Sequence, residues 1–150
     1  MLLSDILTAD RIRVPLRSRD KRSVLRELVD LVATGPALRE EVLQAVIARE
    51  AILSTAIGYG VAVPHGKCDS LPDLRLAAAN SPEPIHFDAL DGRPVRLFFL
   101  IVGPESVAGA HLKALSRVAR LVRREPIRQR LADARDSEEF HRYIREAEGR

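Results

Sequence analysis

Val95-Arg96-Leu97-Phe98-Phe99-Leu100-Ile101-Val102 is the stretch on which the fold turns. Six successive apolar residues from Leu97 leave the segment no polar face, so it reads as a strand buried on both sides. Such a strand needs helices above and below its sheet. Asp91-Gly92 marks a turn before it and Gly103-Pro104 closes it. The hairpin-like spacing around Asp91-Gly92 predicts antiparallel as well as parallel neighbours. The expected architecture is an α/β single-domain sandwich. Its mixed parallel and antiparallel central sheet is flanked by helices on both faces.

Outward from that strand, helical and extended segments alternate. Ser4–Ala9 reads as a helical turn and Ile12–Leu16 as a strand, with Pro15 near an edge. Asp20 has the chemistry of an N-cap for a helix presenting Val24, Leu25, Leu28, Leu31 and Val32. Thr34-Gly35-Pro36 should stop it, with Gly35 in a left-handed C-terminal position. A second helix, Ala37–Ala51, is expected to bury Leu38, Val42, Val46 and Ile47. Leu74–Ala79 reads as a strand, and Pro82 and Pro84 as turns. A helix over Ala108–Arg124 would bury Leu112, Leu115, Val118, Ala119 and Val122. Pro126 suits the first turn of another helix, and Ser137 is expected to cap a last one carrying Phe140, Tyr143 and Ile144.

The chain has 150 residues, 46% hydrophobic and 30% charged, with a formal charge of +3. That suits one ordinary globular domain over residues 1–150. A single cysteine excludes a disulfide framework. The N-terminus lacks the basic and apolar regions of a signal peptide, so a cytoplasmic setting is the expectation. The longest stretch without a charged residue, Ala51 to Gly66, contains three Gly, a Ser, a Thr, a Pro and a His. It cannot be a membrane span.

Candidate chemistry concentrates in that uncharged stretch. Ser54–Gly60 is loop-like, and Val61-Ala62-Val63 reads as a buried strand that Pro64 ends, with His65 at its end and Gly66 allowing close approach. A neutral imidazole there is a competent nucleophile for acyl or phosphoryl transfer. The neighbours suit a phosphoryl group better. Arg49 offers a guanidinium fork, Ser54 and Thr55 hydroxyl donors, Gly58 and Gly60 exposed backbone N–H groups, and His111 the start of a helix. Each also has a plain structural use, as an ion pair, a turn or a cap. His86 and His141 read as ordinary surface residues. Gly58-Tyr59-Gly60 is not a dinucleotide fingerprint, and His65 and Cys68 lack a second ligand pair, so neither a dinucleotide site nor a zinc site is expected. Lys113, Arg117, Arg120 and Arg124 form a basic stripe. With few aromatics to interleave, a solvated or partner-docking face is the better expectation than a nucleic-acid surface.

The segment Arg49-Glu50-Ala51-Ile52-Leu53-Ser54-Thr55-Ala56-Ile57-Gly58-Tyr59-Gly60-Val61-Ala62-Val63-Pro64-His65-Gly66-Lys67 resembles the active-site signature of fructose/mannitol-type enzyme IIA domains (type 2) of the phosphoenolpyruvate-dependent phosphotransferase system, nitrogen-regulatory branch included. Leu3–Leu7, Phe87–Gly92 and His111–Leu115 extend the resemblance over nearly the whole chain. It implies that His65 accepts a phosphoryl group from the phosphocarrier HPr, steadied by Arg49 and His111, without metal or organic cofactor. It also implies onward transfer to a cysteine of an enzyme IIB domain in sugar uptake, or, as the alternative, phosphorylation-controlled binding to a regulated target protein. No direct sugar binding, nucleic acid or membrane insertion is implied. With no IIB, IIC or HPr segment in the chain, a free-standing IIA is the expectation. Ala56 departs from the usual Gly of the signature.

Overall fold

The computed structural model describes all 150 residues. Six strands form one mixed sheet: β1 (Ile12–Arg13), β2 (Ala56–Gly58), β3 (Val61–Ala62), β4 (His65–Lys67), β5 (Arg75–Ile85) and β6 (Val95–Gly103). The order is β1-β5-β6-β3-β2, and β4 continues along β6 beyond β3. β5 and β6 pair antiparallel, whereas β3 and β4 both run parallel to β6. Helices α1 (Leu3–Ile6), α4 (Ala108–Val122), α5 (Glu125–Ala132) and α6 (Ser137–Ala147) cover one face, and α2 (Lys21–Val32) and α3 (Pro36–Ile52) the other. This is the expected α/β sandwich. No helix is long and apolar enough to cross a membrane.

β6 shows why both faces must be covered. Phe98, Leu100 and Val102 join the core under α2 and α3, while Leu97, Phe99 and Ile101 join the core under α4 to α6. The period of two along a strand delivers alternate side chains to the two layers. Phe87 packs edge-on to Phe98 in the first core, with centroids 5.5 Å apart, and Phe99 lies 6.2 Å from Phe140 in the second.

Several local expectations are corrected. β1 is only two residues long, because Pro15 cannot donate to a ladder. Gly35, at φ +81°, precedes α3 as its N-cap, and Pro36 is the helix's first residue. Pro82 and Pro84 lie inside β5, where the register with β6 shifts between Asn80 and Ile85. That irregular, exposed stretch tolerates residues without an N–H. Ala56–Gly58 is a strand, and His65 opens β4. Leu38, Leu31, Leu115, Ala119, Ile47 and Tyr143 are only half-buried, while Val29, Leu43 and Leu121 are buried. Leu112 is 67% exposed and His111 is buried in its place. Asp136, with its side chain accepting from Glu139 N, caps α6, while Ser137 Oγ donates to Ile12 O. His141 is half-buried against Ser4 O at 2.9 Å, and His86 pairs with Asp88.

The alternation also assigns Gly66. It pairs with Val102, which faces α3, and a Cβ there would stand 3.2 Å from Ala45 C, Val46 N and Val46 Cγ2. Gly66 therefore admits the chain's own helix α3 rather than an outside molecule. Gly66→Ala should destabilise the fold by about 1–3 kcal/mol, read by denaturant titration. An unchanged midpoint would show that α3 can yield at this contact.

Candidate active site around His65 and His111

The His65 site forms where the parallel ladder along β6 is interrupted. Val61 and Ala62 pair with Leu97 and Phe98, and pairing resumes at His65 with Ile101. Pro64 has no N–H to give, though its carbonyl still accepts from Ile101 N at 3.1 Å. Val63 turns its N–H outward to Thr55 O, at 2.9 Å. Its carbonyl receives the His65 ring: Nδ1 stands 2.9 Å from Val63 O. A carbonyl only accepts, so Nδ1 carries the proton and Nε2 is left with a free lone pair.

His65 shares the register of Ile101, whose side chain lies in the α4 layer, so the imidazole points toward α4. There it meets His111, edge-to-face, with ring centroids 5.7 Å apart. Burial lowers the His111 pKa below the ordinary histidine value, and the nearby His65 and Lys67 charges lower it further, against a smaller opposing effect of Glu105. Lys67 Nζ pairs with Glu105 at 2.9 Å. A proton on His111 is thus disfavoured until negative charge arrives beside it.

The other candidates occupy different places. Arg49 belongs to α3, one helical turn beyond Ala45, and its Nη1 donates to Leu53 O at 2.8 Å. It lies on the α3 layer, whereas His111 lies on the α4 layer. Thr55 is brought toward His65 through its bond to Val63, and Ser54 precedes it, but the hydroxyl protons of both are already used. Ser54 Oγ donates to Phe87 O at 2.8 Å and Thr55 Oγ1 to Glu50 Oε1 at 2.5 Å. Gly58 and Gly60 are not brought to His65. With Tyr59 they carry positive φ in the β2–β3 turn. That turn adjoins Leu97, roughly 13 Å along β6 from Ile101. Ala56 has no positive φ and pairs with Ala62 just before the register shifts toward Gly58, so alanine fits where the signature usually has glycine.

Two polar residues were not foreseen. Glu50, only 6% exposed, accepts from Thr55 N at 2.9 Å and pairs with Lys21 Nζ at 3.0 Å. Lys21 also meets Asp88, at 3.3 Å, and lies over the Phe87 ring. Glu50 could have been suspected as a carboxylate in the last turn of α3, where the helix dipole is unfavourable to it. Lys21, 29 residues away in the chain, gave no local signal.

The model for the phosphoenolpyruvate-dependent sugar phosphotransferase system EIIA 2 family matches residues 5–147. The chain belongs to that family. Type 2 EIIA proteins, with their nitrogen-regulatory branch, form a phosphohistidine-relay family, and this chain is one of them. A nitrogen regulatory protein of Bradyrhizobium diazoefficiens is 37% identical over 142 residues, covering 94% of this chain and 93% of that protein. The fructose-specific EIIABC component of Bacillus subtilis is 35% identical over 136 residues, covering 89% of this chain but 21% of that protein. The crystal structure of the nitrogen regulatory protein IIA-Ntr from Neisseria meningitidis superposes with a TM-score of 0.87 at 31% identity, over 95% of this chain and 98% of that one.

The lowered His111 pKa has a definite sign. The unfolded chain binds its proton more readily, so acidification through and below the ordinary histidine value of ~6.5 removes stability. The melting temperature should fall from pH 7 to pH 5, and His111→Gln should flatten part of that slope. Identical slopes for the two proteins would contradict a proton-resisting His111.

Proposed function

We propose that this EIIA is a nitrogen-regulatory-type phosphoacceptor: His65 takes a phosphoryl group from a phosphocarrier protein of the HPr type, and the phosphorylation state of His65 governs binding to a target protein. The observation that carries this is the Nδ1–H bond from His65 to Val63 O, which leaves Nε2 as the nucleophile on a ring packed edge-to-face with His111. The 37% identity to a nitrogen regulatory protein, over nearly the full length of both, favours the regulatory branch.

The transfer is an exchange of one P–N bond for another. The Nε2 lone pair of His65 attacks phosphorus, and the donor's P–N bond breaks with its electron pair returning to the donor imidazole. His65 Nδ1–H stays on Val63 O, which eases the positive charge that develops on the ring. The dianionic group then raises the proton affinity of His111, turning it into a charged hydrogen-bond donor. Arg49 retains guanidinium N–H groups beyond the one on Leu53 O and would supply the second cation by swinging toward the site. Ile52, Leu53 and Leu112, at 80%, 50% and 67% exposure, stand at the end of α3 and the start of α4 as contact points for a protein partner.

Incubation with phosphoenolpyruvate, enzyme I and HPr should place acid-labile phosphate on the wild type and none on His65→Ala. His111→Ala and Arg49→Ala should each slow labelling by up to about 10²-fold. Full labelling of His65→Ala would move the acceptor elsewhere. The second reading, relay to an enzyme IIB cysteine in sugar uptake, is favoured by the 35% identity to the fructose-specific EIIABC component. Transfer of label from His65 to a fructose-type IIB domain would select it. Phosphorylation-dependent target binding without such transfer selects the regulatory one.

A further inference from the structure

The buried pair Glu50–Lys21 touches neither histidine, yet it sits at the head of an unbroken run of hydrogen bonds that ends on the His65 ring. Glu50 Oε2 accepts from Thr55 N at 2.9 Å, and Oε1 from Thr55 Oγ1 at 2.5 Å. Thr55 O accepts from Val63 N at 2.9 Å, and Val63 O receives His65 Nδ1 at 2.9 Å. We propose that Glu50, held in place by Lys21, is a positioning residue for His65: by clamping Thr55 it fixes Val63, and so fixes the proton on Nδ1 and the direction of Nε2. This rests on the phosphoacceptor reading of His65 given above.

The mechanical need is visible in the sheet. Thr55 lies just before β2, a three-residue edge strand whose register with β3 is irregular between Ala56 and Gly58. So short an edge is held weakly by its own ladder. Pro64 O accepts from Ile101 N, but Val63, between the pairings of Ala62 and His65, turns its own N–H and C=O away from β6. The carbonyl that orients the catalytic ring therefore belongs to a residue whose own backbone groups are not held by β6, and whose N–H is held only through Thr55. Glu50 supplies the missing anchor, from the rigid α3, with both carboxylate oxygens on one residue. Burial of its carboxylate requires a counter-charge. Lys21 provides it, from the first turn of α2, and is in turn fixed by Asp88 and by Phe87 O at 3.3 Å. Helices α2 and α3 and the 87–88 loop thus meet at one carboxylate that sets the Val63 carbonyl.

The test uses two readouts on the full chain. The first is the pair of His65 ring ¹⁵N shifts, which report the tautomer without any phosphoryl donor. The second is the rate of His65 phosphorylation by phosphoramidate, a small donor that needs no protein docking. Glu50→Ala should bring the two nitrogen shifts toward each other and slow phosphorylation by about ten-fold or more. Glu50→Gln, which keeps an acceptor for Thr55, should recover part of both. Thr55→Val and Lys21→Met each remove one link while preserving side-chain bulk, so they decide the matter if Glu50→Ala does not fold; each should move both readouts in the same direction. Asn80→Ala is the control for lost stability alone, since Asn80 Nδ2 holds Leu131 O and Ala134 O and touches none of this run. It should leave the His65 shifts and rate unchanged. Wild-type shifts and rates in the Glu50, Thr55 and Lys21 variants would overturn the proposal, as would an equal effect of Asn80→Ala. A wild type that phosphoramidate does not label would count against the phosphoacceptor reading, while the nitrogen shifts would still decide the role of Glu50.

Discussion

The hydrogen bond from His65 Nδ1 to Val63 O is the interaction on which the site depends, and it forms on the side of the strand turned away from β6. Pro64 O is aimed at β6, where it accepts from Ile101 N at 3.1 Å, so the backbone groups of Val63, one residue earlier, point to the opposite side of the strand. Pro64, without an N–H, leaves the ladder incomplete between Ala62 and His65, and the Val63 carbonyl, on the side away from β6, is taken by the imidazole. Pairing then resumes at Ile101, so the ring leaves the strand at a known register and on a known face. The β-period of two does the rest: His65 goes to the α4 layer and His111, while Gly66 goes to the α3 layer, where there is no room for a side chain. One proline thus separates a structural strand (β3) from a chemical one (β4).

The electrostatics on the two sides of the sheet differ accordingly. On the α4 side, His111 is buried with a lowered pKa and next to another imidazole, an arrangement that favours the arrival of an anion. On the α3 side, Glu50 and Lys21 form a closed pair whose charges are spent on structure. The basic row of α4 is neither. Lys113, Arg117 and Arg120 have no carboxylate within 4.0 Å, and residues 106–124 contain no acidic residue at all. Without the five basic residues of 108–124, the chain keeps nineteen basic against twenty-one acidic residues. The positive balance of the chain therefore belongs to α4 and the two arginines that follow it, not to the surface generally.

Much of this architecture was legible in the sequence. The doubly buried β6 demanded two helical layers, and the periodicity placed α2 and α3 with small errors at their ends. His65 and His111 were identifiable as partners, and the structure does bring them together. What was not legible has physical reasons. Treating His111 as polar shifted the apolar stripe of α4 by one position, so Leu112 was expected inside. Pro82 and Pro84 looked like turns because an irregular ladder cannot be seen from composition. The hydroxyls of Ser54 and Thr55 suit an anion as well as they suit a carbonyl or a carboxylate, and only the fold shows that they are already engaged. Gly58 and Gly60 looked like anion-binding glycines, but the sheet places their turn at the opposite end of β3. Lys21 and Glu50 meet only through tertiary packing.

The central claim is that the Val63 carbonyl fixes which ring nitrogen of His65 reacts. The most direct measurement is the nitrogen-resolved NMR spectrum of the phosphorylated protein, with ³¹P and ¹⁵N observed together. Phosphorus bonded to Nε2 of His65, with a proton retained on Nδ1, is the predicted result. Phosphorus on Nδ1, or on a residue other than His65, would contradict it.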